Sequence, residues 1–98
     1  KNTGYQIKEI RVYENSKLSL QKHKSRSEFW QIIKGKCKII IEEKLHYLKE
    51  KNHIYIPENT VHRIENIGKG ELIFLEIQLG KDLKEDDIIR LEDDYGRA

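Results

Sequence analysis

Ninety-eight residues suffice for one compact domain and are too few for two, so an active site lies inside that domain or at a contact between copies of it. Nineteen basic and seventeen acidic residues leave a formal charge of +2, with the lysines spread along the chain, which argues against a specific nucleic-acid footprint. The apolar runs fall short of the roughly 18 residues that cross a bilayer, and the single Cys37 cannot form an internal disulfide. The expectation is a cytoplasmic protein that meets small molecules or a second copy of itself, without nucleic acid or membrane.

In chain order, short runs rich in Ile, Leu, Val and Tyr predict strands at Tyr5 to Tyr13, Lys17 to His23, Glu28 to Ile33 and Cys37 to Glu42. Further strands are predicted at Lys44 to Lys49, His53 to Ile56, His62 to Asn66 and Leu72 to Leu79. Gly35-Lys36, Pro57, Glu58-Asn59 and Gly68-Lys69-Gly70 punctuate them. Period-two alternation puts Ile10 with Val12 on one face and Leu18 with Leu20 on another; Ile73, Leu75, Ile77 and Leu79 share a third. Opposite these lie Ser19, Gln21 and His23 on one strand, and Phe74, Glu76 and Gln78 on another, as in a barrel with a polar lumen. After Gly80 the acidic stretch Asp82 to Asp87 followed by Ile88-Ile89-Arg90-Leu91 predicts a short helix capping the barrel. The reading is an all-β sandwich or jelly roll over residues 1–98, barrel about 5–80 and tail about 81–98.

Gln21 and His23, at i and i+2 on a strand, share a face about 7 Å apart and can chelate one ion. Glu28 follows after a bend, Gly35 sits where a hairpin turns, and His62 follows Pro57 by a short loop, with Asn66 beyond it. Jointly, these residues resemble the two motifs of the cupin superfamily, in which a ligand pair, a Glu and a Gly form the first motif and Pro, His and Asn the second. Gln21 stands where the first His is usual, and Asn59, which tolerates positive φ, where a Gly is usual.

A closer resemblance spans nearly the whole chain and is to the C-terminal cupin domain of type II phosphomannose isomerases, often fused to a mannose-1-phosphate guanylyltransferase. It is carried by Gly4-Tyr5-Gln6-Ile7-Lys8, Leu18 to His23, Arg26-Ser27-Glu28-Phe29-Trp30, Tyr55-Ile56-Pro57, His62-Arg63, Glu76-Ile77-Gln78, Glu85 to Arg90, and Asp94-Tyr95-Gly96-Arg97. The resemblance implies a cupin double-stranded β-helix, a jelly-roll barrel, and dimerisation by paired or swapped edge strands. Ser25 and Phe29 depart from the family's usual His at both positions; neither is a proposed ligand, and both are expected beside the site.

Gln21, His23, Glu28 and His62 offer two imidazoles, a carboxylate and an amide oxygen, a set that suits Zn²⁺ and tolerates Fe²⁺, Mn²⁺, Co²⁺ or Ni²⁺. The activity implied by the resemblance is interconversion of mannose 6-phosphate and fructose 6-phosphate through a cis-enediol. Lys8 and Arg26 are candidates for binding phosphate or the developing oxyanion, and Glu76 for the base. The competing reading is a module that binds a sugar or nucleotide sugar without turnover, with epimerase or dioxygenase chemistry a third. Arg63, adjacent to His62, is expected to point away from the metal. His46 and His53 read as ordinary strand or surface residues, Trp30 as core or sugar-pocket lining, and Cys37 as a buried small hydrophobe.

Overall fold

The computed structural model describes residues 4–80 and the backbone of residues 89–92. The β-branched and aromatic runs form β1 (Gly4–Val12), β2 (Leu20–Lys22), β3 (Arg26–Lys34), β4 (Lys36–Ile41), β5 (Lys44–Lys49), β6 (His53–Ile56), β7 (His62–Asn66) and β8 (Leu72–Gly80). A ninth strand, β9, is Ile89–Glu92. They build a four-stranded sheet in the order β1-β8-β3-β6 and a five-stranded sheet in the order β5-β4-β7-β2-β9, antiparallel throughout. Among the described residues there is no helix, and none therefore that could cross a membrane.

Two expectations need correction. The predicted strand from Lys17 shrinks to β2, because Lys17 makes only an isolated bridge to Glu65 and the ladder begins at Leu20. The predicted tail helix falls partly on residues 81–88, outside the described residues; its end, however, is the strand β9, with Gln21 opposite Arg90 and Lys22 opposite Ile89. The physical reason is the edge of β2. With β7 on one side only, its other N–H and C=O groups need a partner, and a strand there satisfies more backbone than one or two isolated helical turns would.

Turn chemistry fixes the registers that matter. Gly35 turns β3 into β4 at φ 101°, and a Cβ there would sit 3.2 Å from the Leu72 Cα, so both conformation and closeness call for glycine. Asn59 takes φ 56°, as its tolerance of the left-handed region allows, and its N–H donates to the His23 carbonyl at 2.6 Å. The loop after Pro57 thereby anchors the chain just past β2.

The lumen is divided along its axis. On β3 the inward residues run Arg26, Glu28, Trp30, Ile32; on antiparallel β8 their neighbours run Gly80, Gln78, Glu76, Phe74. β1 and β7 follow suit, with Gln6 and Lys8 giving way to Ile10 and Val12, and His62 to Ile64. One half is therefore an apolar core of Val12, Trp30, Ile32, Cys37, Ile39, Ile56, Ile64, Leu72 and Phe74, and the other half carries the polar groups. Cys37, fully buried between Leu48 and Asn66 on the neighbouring strands, is the small core hydrophobe the sequence suggested.

Asn66 has a structural role. Its amide donates to the carbonyls of Val12 at 3.0 Å and Gly70 at 2.9 Å, and its Oδ1 accepts from the Gly68 N–H at 2.9 Å, tying the end of β1 to the turn before β8. Replacing Asn66 with Ala leaves buried backbone groups unpaired and is expected to lower stability by about 2–3 kcal/mol in a urea titration. A loss under about 0.5 kcal/mol would contradict this role.

Candidate metal centre

Three strands deliver the ligand-type residues to one point. His23 follows β2, Glu28 lies in β3, and His62 opens β7 directly opposite Gln21. One donor atom from each of His23, Glu28 and His62 lies within 4.8 Å of the others, and all three residues are buried. Those donors are close enough to converge on an ion with bonds of about 2 Å.

The protonation pattern suits a cation. The His62 Nδ1–H donates to the Thr60 carbonyl at 3.0 Å, which leaves the Nε2 lone pair for the site. Burial pulls the His62 pKa below the usual imidazole value, against the opposing effects of that hydrogen bond and the Glu28 charge, so the ring is neutral at pH 7. The His23 Nε2 lies 3.2 Å from the Arg26 Nη2, and since a guanidinium only donates, this nitrogen also carries a lone pair. It stands 3.3 Å from the Glu28 Oε2. Gln21 commits its amide NH₂ to the Ser19 Oγ at 2.9 Å and the Ser19 carbonyl at 3.3 Å, leaving its amide oxygen as the donor atom for an ion.

Glu28 is 1% exposed and is held at both oxygens: Oε1 accepts from the Trp30 Nε1 at 2.8 Å, and Oε2 from the Arg26 Nε at 2.8 Å. Arg26, Glu28 and Trp30 are alternate residues of one strand, so the same face supplies the carboxylate and both of its donors. Trp30 also meets His62 edge-on, with ring centroids 5.4 Å apart. Sequence reasoning placed Trp30 in the core or the pocket wall; it is in both, and its hydrogen bond to the carboxylate went unread. The i, i+2 spacing from Glu28 was the available signal.

Glu76 lies beside this set, 3.8 Å from the Arg26 Nη2, and accepts from the Gln78 Nε2 at 2.7 Å. Burial, reinforced by the Glu28 charge, raises its pKa from 4.5 to about 7, with Gln78, Arg26 and Lys8 opposing. Lys8 sits directly across the β1–β8 ladder from Glu76, on the same face of the sheet, and is not among the residues of the pocket wall. The pocket itself is small, about 80 Å³, and is walled by Gln21, His23, Arg26, Glu28, His62 and Glu76, with Ser19, Trp30 and Arg63 among the others. A groove of about 620 Å³ at the apolar end is lined by turn residues and exposed charges such as Glu14, Lys36 and Lys69, with no convergent ligand set.

Three expectations come out differently. Arg63 is buried and contributes to the pocket wall, although its Nε donates away to the Leu18 carbonyl at 2.9 Å. Phe29 was expected beside the site; it lies on the outward face of β3, opposite Tyr55 and Ile77 and stacked on His53 at 5.1 Å. Ser25 is exposed and is likewise no part of the pocket wall. His46 and His53 stay apart from the ligand cluster.

The family model for the mannose-6-phosphate isomerase C-terminal domain matches residues 1–93. The alginate biosynthesis protein AlgA of Pseudomonas aeruginosa is 44% identical over 94 residues, which is 96% of this chain and 20% of AlgA. The mannose-1-phosphate guanylyltransferase ManC of Salmonella typhimurium is 41% identical over 94 residues, again 96% of this chain and 20% of ManC. The chain thus spans about a fifth of the length of these relatives. A conserved Klebsiella pneumoniae protein with a double-stranded β-helix domain superposes with a TM-score of 0.81 at 15% identity, over 95% of this chain and 74% of that one, a likeness of fold. The chain therefore belongs to the mannose-6-phosphate isomerase C-terminal family and has its cupin fold.

Proposed function

We propose that this domain is a metal-dependent aldose–ketose isomerase acting on mannose 6-phosphate and fructose 6-phosphate in the cytoplasm. The observation that carries the reading is the pairing, in one buried pocket, of a His/Glu/His donor set with a separate carboxylate, Glu76, on the facing strand. A divalent ion held by His23, Glu28, His62 and Gln21 would act as a Lewis acid toward the hydroxyl and carbonyl oxygens at C1 and C2 of the sugar. Glu76 is the base: it takes the proton from C2 of the aldose, giving a cis-enediolate with its charge on O1; the hydroxyl proton on O2 passes to O1, and Glu76 returns its proton to C1 to leave the ketose. A pKa near 7 matches this dual role, because the group must accept and release the same proton. Arg26, 3.8 Å from Glu76 in the pocket wall, would meet charge developing on the sugar oxygens, and Lys8, across the ladder from Glu76, biases that carboxylate toward its ionised form.

The alternative of a binding module without turnover drew on Ser25 and Phe29. Neither residue walls the pocket, which weighs in favour of turnover.

Purified without a metal-affinity step, the protein is expected to carry near-stoichiometric divalent metal and to isomerise mannose 6-phosphate. His62→Ala should lose most of the metal by elemental analysis and lower the rate at least 100-fold. Metal without isomerisation would favour the binding module; no metal even after reconstitution would defeat the ligand assignment.

Glu76 gives a second test, on stability. Its folded pKa lies above the unfolded value, so the native state holds the proton more tightly between pH 4.5 and about 7, and the stability this contributes is lost as pH rises through that window. Above it the buried carboxylate opposes folding. With chelator present, Glu76→Gln should therefore be more stable than the parent at pH 8, by about 1–3 kcal/mol, and nearly equal at pH 5. A variant equally destabilised at both pH values would contradict this environment for Glu76.

A further inference from the structure

We propose that Arg26 is a built-in stand-in for the metal: its guanidinium holds the metal-free site closed, and an entering ion displaces it. This deepens the reading above and rests on His23, Glu28 and His62 being metal ligands. The Arg26 Nε donates to the Glu28 Oε2 at 2.8 Å, and the Arg26 Nη2 to the His23 Nε2 at 3.2 Å. These are the two lone pairs that face each other at 3.3 Å, the atoms an ion would take from two of its ligands. With the guanidinium in place both of these atoms have a hydrogen-bond donor. Among the described residues no buried side-chain nitrogen or oxygen lacks a hydrogen-bond partner.

The His23 Nε2 has one lone pair, which cannot serve both the Arg26 N–H and a metal bond, so ion binding and that contact exclude one another; the guanidinium is rigid and carries the ion's own sign of charge, so its Nε leaves the Glu28 Oε2 with it. The Glu28 Oε1 does not face this competition, because Trp30 holds it independently. Displacement keeps the carboxylate in place while freeing its other oxygen. The released guanidinium remains beside Glu76, to which its Nη2 is already 3.8 Å away, and its planar donor fork becomes available to an anionic group of the sugar. The pocket of about 80 Å³ is small beside the roughly 300 Å³ or more of ordinary ligand sites, and the arginine's departure from its wall would enlarge it. Metal entry would thus precede sugar entry.

Two measurements on the full chain test this. Zn²⁺ titrated into chelator-stripped protein should bind Arg26→Met at least tenfold more tightly than the parent. In parent protein labelled at the arginine Nε, the Arg26 Nε–H resonance should be protected from solvent exchange without metal and lose that protection as one equivalent of Zn²⁺ is added. Should Arg26→Met fail to fold, the resonance alone decides. Equal or weaker Zn²⁺ binding by a folded variant overturns the proposal, as does a resonance that keeps its protection while Zn²⁺ binds, even if the variant binds more tightly. Failure of parent and variant alike to bind Zn²⁺ overturns the metal-site reading itself.

Discussion

The polar half of this barrel is organised around one buried carboxylate. Glu28 is almost fully enclosed, and an ionised carboxylate in that position is tolerated only where donors or cations meet both of its oxygens. Trp30 meets one and Arg26 the other, both from the same strand face. Removing a partner would expose the fold to the cost of an unpaired buried charge, which for such groups runs to about 3–5 kcal/mol. The site and the stability of this end of the barrel are therefore not separable: the groups that make the burial of Glu28 possible also set where its carboxylate stands beside the two imidazoles.

The division of the lumen follows from the same arrangement. Antiparallel pairing sets the polar end of β3 against the polar end of β8, so Glu28 lies beside Gln78 and Trp30 beside Glu76, while Ile32 lies beside Phe74. The apolar half supplies the packing that a 98-residue chain needs to fold, leaving the other half free to carry ionisable groups. Trp30 stands at the boundary, with its ring on Phe74 and His62 and its N–H on Glu28. Its indole is both part of the core and a positioning group for the carboxylate, so packing errors in the core would be transmitted to the site.

Much of this was legible in the sequence because strand alternation is a strict rule. Gln21 with His23, and Phe74 with Glu76 and Gln78, could be placed on shared inward faces before any coordinates, and the hairpin at Gly35 and the left-handed Asn59 followed from turn chemistry. What alternation could not supply was contact between strands. That the Arg26 guanidinium bridges Glu28 and His23, that Asn66 clamps β1 to a distant turn, and that Lys8 stands opposite Glu76 all depend on register and on side-chain reach. The misplacement of Phe29 was avoidable, since a residue adjacent to Glu28 on a strand must face outward. The tail was misread for a different reason: local propensity favoured a helix, whereas the open edge of β2 favoured a strand, and only the sheet order reveals that edge.

The central claim, a metal held in the polar half of the barrel by imidazole and oxygen donors, is tested most directly by X-ray absorption on the zinc-loaded protein. The account predicts a first shell of nitrogen and oxygen only, with multiple-scattering features from two imidazoles. A sulfur scatterer, which could come only from Cys37, or a spectrum without imidazole would place the ion elsewhere and contradict it.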